Sequence, residues 1–222
     1  EQLVVITTDG YLQSLDRELL PTNRLVGAEF TIPGMRIGGY YSGVGTLGAA
    51  PVVGAVGSPA EPAIFVRDSR PALARLDART ASFASPPRVR WERPRAGSPL
   101  LADVNGDGRR ELVVTERRDV IALDPADAAR ALWISPAADG PAGASFAGDI
   151  LPLRRADGRT DVLYGRTTPD RAYRPTALDG RTGTIRWNSF TRTPHSDYGI
   201  FAAGDLTGDG TDDLFAPINV VV

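Results

Sequence analysis

The feature that most constrains this chain is an oxygen-rich loop that occurs twice, each time directly before a short apolar run. The first copy, residues 103–111, reads Asp-Val-Asn-Gly-Asp-Gly-Arg-Arg-Glu and is followed by Leu-Val-Val. The second copy, residues 205–213, reads Asp-Leu-Thr-Gly-Asp-Gly-Thr-Asp-Asp and is followed by Leu-Phe-Ala. Alternate oxygen side chains in a tight loop match the ligand needs of calcium, which takes about six to eight oxygens. The two copies therefore predict a structural repeat with a candidate calcium loop in two of its units.

The composition argues against several other kinds of site. The 222 residues include 27 acidic and 25 basic residues, all of the latter arginine, for a formal charge of −2. That balance gives no electrostatic footprint for nucleic acid. Cysteine is absent, which leaves no disulfide framework or thiolate metal site. There is neither a signal-peptide pattern nor an apolar run of 18 residues, so we expect no transmembrane segment in this chain.

A longer repeat contains the two loops. Equivalent positions 55, 103, 149 and 205 are separated by 48, 46 and 56 residues. A Leu-Asp dipeptide recurs within the units, and a tryptophan follows three of its four copies. The copies are Leu15-Asp16, Leu76-Asp77, Leu123-Asp124 and Leu178-Asp179, and the tryptophans are Trp91, Trp133 and Trp187. A period of about 40–50 residues with four short strands per unit is typical of a β-propeller blade.

We therefore expect an all-β fold, a single β-propeller domain over residues 1–222, with about five blades represented. The predicted blades span residues 1–30 (partial), 49–94, 97–136, 143–190 and 199–222 (partial). The best-defined blade has predicted strands at Pro99–Ala102, Leu112–Thr115, Val120–Leu123 and Leu132–Ile134. In the first blade, strands are expected over residues 1–5, 11–16 and 24–30. Whether the propeller closes within this chain or forms an arc of a larger one stays open.

Two known families share these patterns. The Asp-x-Asn-x-Asp-Gly-x-x-Glu-Leu segment at residues 103–112 resembles the FG-GAP (VCBS-type) repeat, as in the integrin α-subunit propeller. The segment Leu-Asp-Gly-Arg-Thr-Gly-Thr-Ile-Arg-Trp at residues 178–187 resembles the quinoprotein-type (PQQ-like) propeller repeat. Together these resemblances cover nearly the whole chain at repeat level, and they imply a fold much more specifically than a function.

The FG-GAP resemblance also implies a ligand set. Side chains at loop positions 1, 3, 5 and 9 and the backbone carbonyl at position 7 hold the cation. The implied ligands are Asp103, Asn105, Asp107, the Arg109 carbonyl and Glu111 in the first loop, and Asp205, Thr207, Asp209, the Thr211 carbonyl and Asp213 in the second. Because Thr207 is a weaker ligand than Asn105, the second site is expected to be the weaker of one or two Ca²⁺ sites. The competing interpretation is a plain Asp-Gly turn without metal.

Two other units depart from this pattern. In the 143–190 blade, four extra residues within 150–156 are expected to lengthen the loop. A site through Asp149, Asp157 and Asp161 is then possible, although a metal-free turn is favoured. The 49–94 blade has Ala55, Gly57, Pro59 and Ala63 at the ligand positions and is expected to have lost the site.

Other candidate motifs have simpler interpretations. The Gly43–Gly48 segment fits G-x-G-x-x-G but has no helix pattern after it, so we interpret it as a loop between blades. His195 is the only histidine and is likewise assigned to a loop. The three tryptophans are expected to be core residues, because they share one place in the repeat.

These observations favour a non-enzymatic, calcium-binding propeller that serves as a protein- or glycan-binding or scaffold module. Weak calcium loops suit extracytoplasmic calcium levels, so a secreted, periplasmic or cell-surface location is expected. The alternatives are a propeller enzyme, either a polysaccharide lyase or a quinoprotein-like dehydrogenase, and a sugar-binding lectin. The enzymes are disfavoured because the chain has no Cys or Lys and a single His.

Overall fold

The computed structural model of this chain consists of β-strands joined by turns. It describes residues 3–6, 12–15, 21–26, 52–57, 61–67, 72–77, 89–94, 96–116, 119–136, 150–167, 173–188 and 202–215. Those residues contain no helix, and accordingly none long and apolar enough to cross a membrane. Their strands form five antiparallel sheets, three of which have four strands. The predicted fold class, all-β with the four-stranded blades of a propeller, is thereby confirmed.

The chain divides into two compact units. Unit 1 comprises Glu1–Pro99 with Ala126–Ala128, and unit 2 comprises Leu100–Pro125 with Ala129–Val222. The first and second sheets lie in unit 1. The third sheet lies mostly in unit 2, and the fourth and fifth lie wholly within it.

Unit 1 contains a three-stranded sheet followed by a four-stranded one. The first sheet has the order β1-β2-β3 and the second β4-β5-β6-β7. Their strands are β1 (Leu3–Ile6), β2 (Leu12–Leu15), β3 (Pro21–Val26), β4 (Val52–Val56), β5 (Glu61–Arg67), β6 (Ala72–Asp77) and β7 (Val89–Pro94). Strand β3 begins earlier than the strand predicted over residues 24–30, and residues 27–30 lie outside the described ones.

Strand β5 shows why the apolar runs of this sequence are continuous. Its residues 63–66, Ala-Ile-Phe-Val, are all buried, with exposures of at most 2%. Successive side chains of a strand point to opposite faces, so four buried residues in a row mean that both faces of the strand are covered. The unbroken apolar run of β5 therefore marks a central strand with two covered faces.

The third, fourth and fifth sheets continue the same arrangement. Their strands are β8 (Ala96–Ala102), β9 (Glu111–Glu116), β10 (Asp119–Asp124), β11 (Asp127–Pro136), β12 (Leu151–Arg154), β13 (Thr160–Thr167), β14 (Tyr173–Leu178), β15 (Ile185–Asn188), β16 (Ala202–Gly204) and β17 (Asp213–Phe215). The four strands predicted within residues 97–136 lie inside β8 to β11. The described part of the fifth sheet contains only β16 and β17.

The core of unit 2 lies between successive sheets. One cluster joins valines and an alanine of the third sheet to residues of the fourth. Its members are Val104, Val113, Val120, Ala122, Ile150, Val162, Tyr164 and Leu178. A smaller cluster of Leu153, Leu163 and Ala177 packs against Leu214 of the fifth sheet. Hydrophobic burial between neighbouring sheets therefore holds these blades together.

Trp133 of β11 connects the third sheet to the fourth. Its indole Nε1 donates a hydrogen bond to the Gly180 carbonyl at 2.7 Å. Its ring lies against Gly183, where an added Cβ would come within 2.6 Å of the indole Cε3. Gly183 also has a φ of 71°, a conformation that side chains resist. The turn between β14 and β15 thus has both the space and the acceptor that Trp133 requires.

The other two tryptophans have different surroundings. Trp91 packs against Phe65 within the second sheet, with ring centroids 5.9 Å apart. Trp187 of β15 remains 38% exposed, so the expectation that all three tryptophans are core residues is wrong for this one. Trp133 is covered by the turn after the third strand of the following sheet. The corresponding turn of the fifth sheet would follow Phe215, outside the described residues.

We expect Trp133→Ala to lower the free energy of unfolding by about 3 kcal/mol, because it removes a large packed ring and a hydrogen bond. Trp187→Ala is the matched control and should cost less than about 1 kcal/mol, since its ring is already well exposed. Urea denaturation monitored by circular dichroism would measure both. Equal losses for the two variants would contradict the assignment of Trp133 as a contact between sheets.

Candidate metal-binding loops

The first acidic loop, residues 103–111, is organised around the Asp103 carboxylate. Asp103 Oδ1 accepts hydrogen bonds from the Gly106 and Asp107 N–H groups at 2.7 and 3.2 Å. Oδ2 accepts one from the Gly108 N–H at 2.8 Å. Further along, Asp107 Oδ1 accepts the Arg109 N–H at 2.8 Å. The sequence therefore folds locally into a tight loop because its own side-chain oxygens satisfy its backbone donors.

Glycine makes this winding possible. Gly106 and Gly108 have φ values of 80° and 83°, in the left-handed region that other residues rarely adopt. In the second acidic loop, residues 205–213, Gly208 and Gly210 have φ values of 77° and 85°. The two loops therefore share a backbone path as well as a sequence pattern.

Glu111 closes the first loop from a buried position. It is 4% exposed, and its Oε2 accepts the Val104 N–H while its Oε1 accepts the Asn105 side-chain amide, both at 3.0 Å. Burial raises the pKa of Glu111 to about 7, and the nearby Asp107 and Asp103 charges also raise it. Hydrogen bonds from the backbone of Val104 and Asn105 oppose this effect without cancelling it. A buried carboxylate between two others is therefore costly to ionise without a nearby cation.

The second acidic loop repeats these contacts almost atom for atom. Asp205 Oδ1 accepts the Gly208 and Asp209 N–H groups at 2.7 and 3.1 Å, and Oδ2 accepts the Gly210 N–H at 2.9 Å. Asp213 Oδ2 accepts N–H groups from Leu206 and Thr207 at 3.0 and 3.2 Å. The position-9 carboxylate thus ties the start of the loop to its end in both copies.

Each acidic loop has three carboxylates at its ligand positions, and none of them forms an ion pair with another described residue. The six side chains are Asp103, Asp107, Glu111, Asp205, Asp209 and Asp213. Within the described part of the chain, no arginine comes within 4 Å of any of them. In the same residues, no three His, Cys, Asp or Glu side chains are grouped closely enough to hold a metal ion as they stand. The loops therefore have the charge and oxygen chemistry that calcium needs, while their carboxylates bond to backbone N–H groups.

The remaining acceptor capacity decides whether calcium fits these loops. An ionised carboxylate offers about four lone-pair sites. Asp103 uses three of them on N–H donors, Glu111 two and Asp107 one. Every carboxylate therefore retains an acceptor site for a hard cation while its backbone hydrogen bonds persist. By donor chemistry these oxygens suit a hard cation such as calcium, although the described side chains are not grouped around one as they stand.

Asp212 attaches the second acidic loop to the fourth sheet. Its carboxylate Oδ2 accepts the backbone N–H of Arg154 at 2.7 Å. Its own backbone N–H donates to the Arg154 carbonyl at 2.8 Å. Arg154 ends strand β12, so the pairing resembles one rung of a β-ladder between two blades. Sequence analysis did not single out Asp212, because the cation pattern does not use the eighth loop position.

In the fourth sheet, the expected loop with four extra residues is wrong. Residues 151–154 form β12, and β12 pairs with β13 through Leu153 and Asp161. The turn then comprises only residues 155–159. Asp149 lies outside the described residues, and β12 separates its position in the chain from the turn. A site combining Asp149 with Asp157 and Asp161 therefore has no support.

The β12–β13 turn also contains a cation that sequence analysis missed. The Arg155 guanidinium lies 3.1 Å from Asp157, 3.6 Å from Asp161 and 3.8 Å from Asp179. Burial by itself would raise the pKa of Asp179. Hydrogen bonds from the Thr182 hydroxyl and N–H and from the Arg181 N–H, together with the Arg155 charge, outweigh that effect and hold the pKa below its usual value. The signal in the sequence is position: Arg155 lies two residues before Asp157-Gly158, where the acidic loops have an oxygen ligand.

The second sheet has a short link where the other units have a loop. Ala55 lies in β4 and Ala63 in β5, and Gly57 begins the connection between the two strands. Pro59 lies outside the described residues, as do the Gly43–Gly48 segment and His195. None of the side chains expected at the ligand positions of this unit is a carboxylate.

Comparisons with known proteins place the chain by fold alone. No family model matches it, and no curated protein matches it. Among solved structures, a lectin of Agrocybe aegerita, described for specific recognition of non-reducing terminal N-acetylglucosamine, is 15% identical with a TM-score of 0.53. That match covers 97% of this chain and 56% of the lectin. At this identity the likeness concerns the fold.

Two further structures are similar at lower scores. BamB from Moraxella catarrhalis is 18% identical with a TM-score of 0.44, over 84% of this chain and 45% of that one. The C-terminal domain of Pseudomonas aeruginosa PilY1 is 18% identical with a TM-score of 0.49, over 70% and 36%. This chain thus spans about half the length, or less, of the solved structures that it resembles.

We expect the metal-free protein to lose stability as pH rises from about 4.5 to 7, and Glu111→Gln to reduce that loss. The pKa of Glu111 is raised in the folded state, so its contribution is fully favourable below the unfolded value and is lost as pH passes the folded value. The difference is on the order of 3 kcal/mol. Urea unfolding of calcium-stripped protein at pH 5 and pH 8 would measure it.

Asp119→Ala is a suitable control for this comparison, because Asp119 is the first residue of β10 and lies outside the acidic loops. The free energy of unfolding of Asp119→Ala should change with pH as that of the wild type does. Parallel profiles for Glu111→Gln and the wild type would show that Glu111 ionises normally in the folded protein.

Proposed function

We propose that this chain is a calcium-binding β-propeller module of the FG-GAP type that presents a binding surface outside the cytoplasm. The observation that supports it most strongly is the pair of acidic loops with similar hydrogen bonds, whose carboxylates at the first, fifth and ninth positions have no arginine within 4 Å among the described residues. One such loop would be compatible with an ordinary Asp-Gly turn. Two loops that each concentrate three carboxylates, in the same place relative to their strands, are better explained by a cation that both can bind.

The proposed ligands of the first site are Asp103, Asn105, Asp107, the Arg109 carbonyl and Glu111. Those of the second site are Asp205, Thr207, Asp209, the Thr211 carbonyl and Asp213. Backbone N–H groups already fix Asp103 and Asp205 in place, so most of the ordering cost is met before a cation binds. The bound ion would offset the mutual repulsion of the three carboxylates in each loop.

In this proposal calcium is structural. The first loop joins β8 to β9, and the second joins β16 to β17 and is attached to β12 through Asp212. A cation that binds only the folded loop adds stability by mass action, about 2.7 kcal/mol at a hundredfold excess over its Kd. Loops of modest affinity suit extracytoplasmic calcium levels, which is the support for a secreted, periplasmic or cell-surface location.

The proposed task of the module is to bind a protein or a glycan, and exposed apolar side chains support the protein alternative. Leu206, in the second acidic loop, is 66% exposed and Trp187 is 38% exposed, whereas their counterparts Val104 and Trp133 pack against the fourth sheet. The fold likeness to a lectin motivates testing glycans as well, although fold alone does not assign a ligand.

We expect millimolar calcium to raise the melting temperature of the EGTA-treated protein by several degrees, through preferential binding to the folded state. Asp107→Ala should lose part of this increase and Asp209→Ala another part, because each removes one ligand from a different loop. Differential scanning calorimetry in EGTA and in calcium would measure the shift. The Asp119→Ala variant should show the full wild-type increase.

An unchanged melting temperature for the wild type would refute the calcium proposal, and the loops would then be metal-free turns. A full calcium response in both Asp107→Ala and Asp209→Ala would show that any calcium binds elsewhere. Magnesium at the same concentration tests selectivity, since it prefers a smaller and more rigid octahedral site.

The binding task requires a separate experiment. A glycan array probed in calcium and in EGTA tests the glycan alternative directly. Photo-crosslinking from a benzoyl-phenylalanine placed at position 206 or 187 tests for a protein neighbour at the exposed apolar positions. Reproducible glycan binding without crosslinks would favour the glycan alternative, and the reverse would favour a protein partner.

A further inference from the structure

We propose that the Arg155 guanidinium is a built-in cation that takes the place of a metal ion in the β12–β13 turn, so that this turn folds without calcium. The contrast with the two acidic loops rests on the proposed function. The role of Arg155 itself rests on contacts within the fourth sheet.

The position of Arg155 follows from aligning the turns on their Asp-Gly pairs. These pairs are Asp107-Gly108, Asp157-Gly158 and Asp209-Gly210. Two residues before the aspartate, the acidic loops have Asn105 and Thr207, and this turn has Arg155. Four residues after the aspartate, all three end in an acid: Glu111, Asp161 and Asp213. A cationic side chain therefore stands at the third loop position, where the acidic loops have an oxygen donor. Leu153 stands at the first position, where they have Asp103 and Asp205.

The length of the turn agrees with this alignment. Leu153 pairs with Asp161 in the fourth sheet, as Gly204 pairs with Asp213 in the fifth. These pairs enclose residues 154–160 and 205–212, which are seven and eight residues. A backbone hydrogen bond also closes the turn, since the Arg155 N–H donates to the Arg159 carbonyl at 2.9 Å. It is therefore a shortened relative of the acidic loops.

Arg155 contacts three carboxylates at once. Its Nη2 lies 3.1 Å from Asp157 Oδ2, and its Nη1 lies 3.6 Å from Asp161 Oδ1 and 3.8 Å from Asp179 Oδ2. The arginine side chain is 23% exposed and that of Asp161 only 4%. A guanidinium with several donors in one plane suits such shared neutralisation better than a flexible ammonium does.

Asp161 shows why a cation is needed at this point. Its Oδ2 pairs with Arg186 of β15. Its Oδ1 is buried and has no hydrogen-bond partner among the described residues, and the cation that faces it is Arg155. Without Arg155, Asp161 would keep Arg186 at Oδ2, but its buried Oδ1 would lose the cation that faces it. Removing a charge partner from a poorly solvated carboxylate is destabilising.

The charge balance separates this turn from the acidic loops. The carboxylates of Asp157, Asp161 and Asp179 face three guanidinium groups, those of Arg155, Arg159 and Arg186. At the ligand positions of the acidic loops, the carboxylates have no arginine within 4 Å in the part of the chain that the structure describes, whereas Asp212 at the eighth position of the second loop lies 3.5 Å from Arg154. A metal ion at the β12–β13 turn would therefore compete with a positive charge that is already present.

The test compares Arg155→Asn with Arg159→Asn in calcium-free buffer. Arg159 lies in the same turn, but its side chain is 56% exposed and its Nε is 3.9 Å from Asp157. We expect Arg155→Asn to lower the melting temperature by about 4 °C or more and Arg159→Asn by about 1 °C or less. Equal melting temperatures for the two variants would overturn the proposal.

Two further variants separate charge from packing. Arg155→Lys keeps the positive charge and should retain most of the wild-type melting temperature. Arg155→Met keeps a long apolar stem without charge and should melt with Arg155→Asn. If Arg155→Asn does not fold, a folded Arg155→Lys supports the proposal. An unfolded Arg155→Lys, or an Arg155→Met that melts as the wild type does, overturns it.

Melting temperatures measured with and without calcium test whether Arg155 takes the place of a metal ion. Arg155→Asn removes the positive charge that faces Asp157, Asp161 and Asp179 and would compete with a metal ion. Calcium should therefore raise the melting temperature of Arg155→Asn by more than that of the wild type. Equal increments would show that the guanidinium does not stand in for a cation. A wild type that fails to respond to calcium refutes the proposed function, and the calcium-free comparison still decides the role of Arg155.

Discussion

Within unit 2, the described structure depends on burying the faces of each sheet against its neighbour. The central strands β9, β10 and β13 are built from consecutive buried residues, so neither of their faces can remain in water. The third sheet meets this requirement by packing Val104 and Trp133 against Gly180 and its neighbours in the fourth. Gly180 has no space for a Cβ, which would lie 2.0 Å from the Thr160 carbonyl and 2.6 Å from that of Val104.

This close approach between sheets creates an electrostatic problem at the turns. Where an inner strand turns back, the chain must satisfy several backbone N–H groups within a few residues, and aspartate oxygens do so. The same turns then bring several carboxylates into a few consecutive residues. The fourth sheet resolves the repulsion with Arg155 and Arg186, whereas among the described residues no arginine lies within 4 Å of the carboxylates at the ligand positions of the acidic loops. Calcium is the proposed solution for those loops, and one chain would then use two kinds of cation at equivalent turns.

Much of this fold could be predicted because local sequence is sufficient to specify a blade. The apolar runs, the Asp-Gly turns and the period near 50 residues indicate the strands, the turns and their order. The four strands predicted within residues 97–136 lie inside β8 to β11. The same reasoning failed at residues 150–156, since a strand and a lengthened loop are hard to distinguish when Leu-Pro-Leu is followed by two arginines. The pairing of Leu153 with Asp161 makes that distinction.

The sequence by itself determined the all-β class, the two glycine-containing acidic loops and the side chains that satisfy their backbone donors. These features depend on residues within about ten positions of one another, where chain geometry leaves few alternatives. Only the tertiary structure decided that Arg155 faces Asp161 and Asp179, that Asp212 pairs with β12, and that Trp133 is covered while Trp187 is exposed. Those outcomes depend on which sheet lies next to which, and a one-dimensional pattern does not record that arrangement.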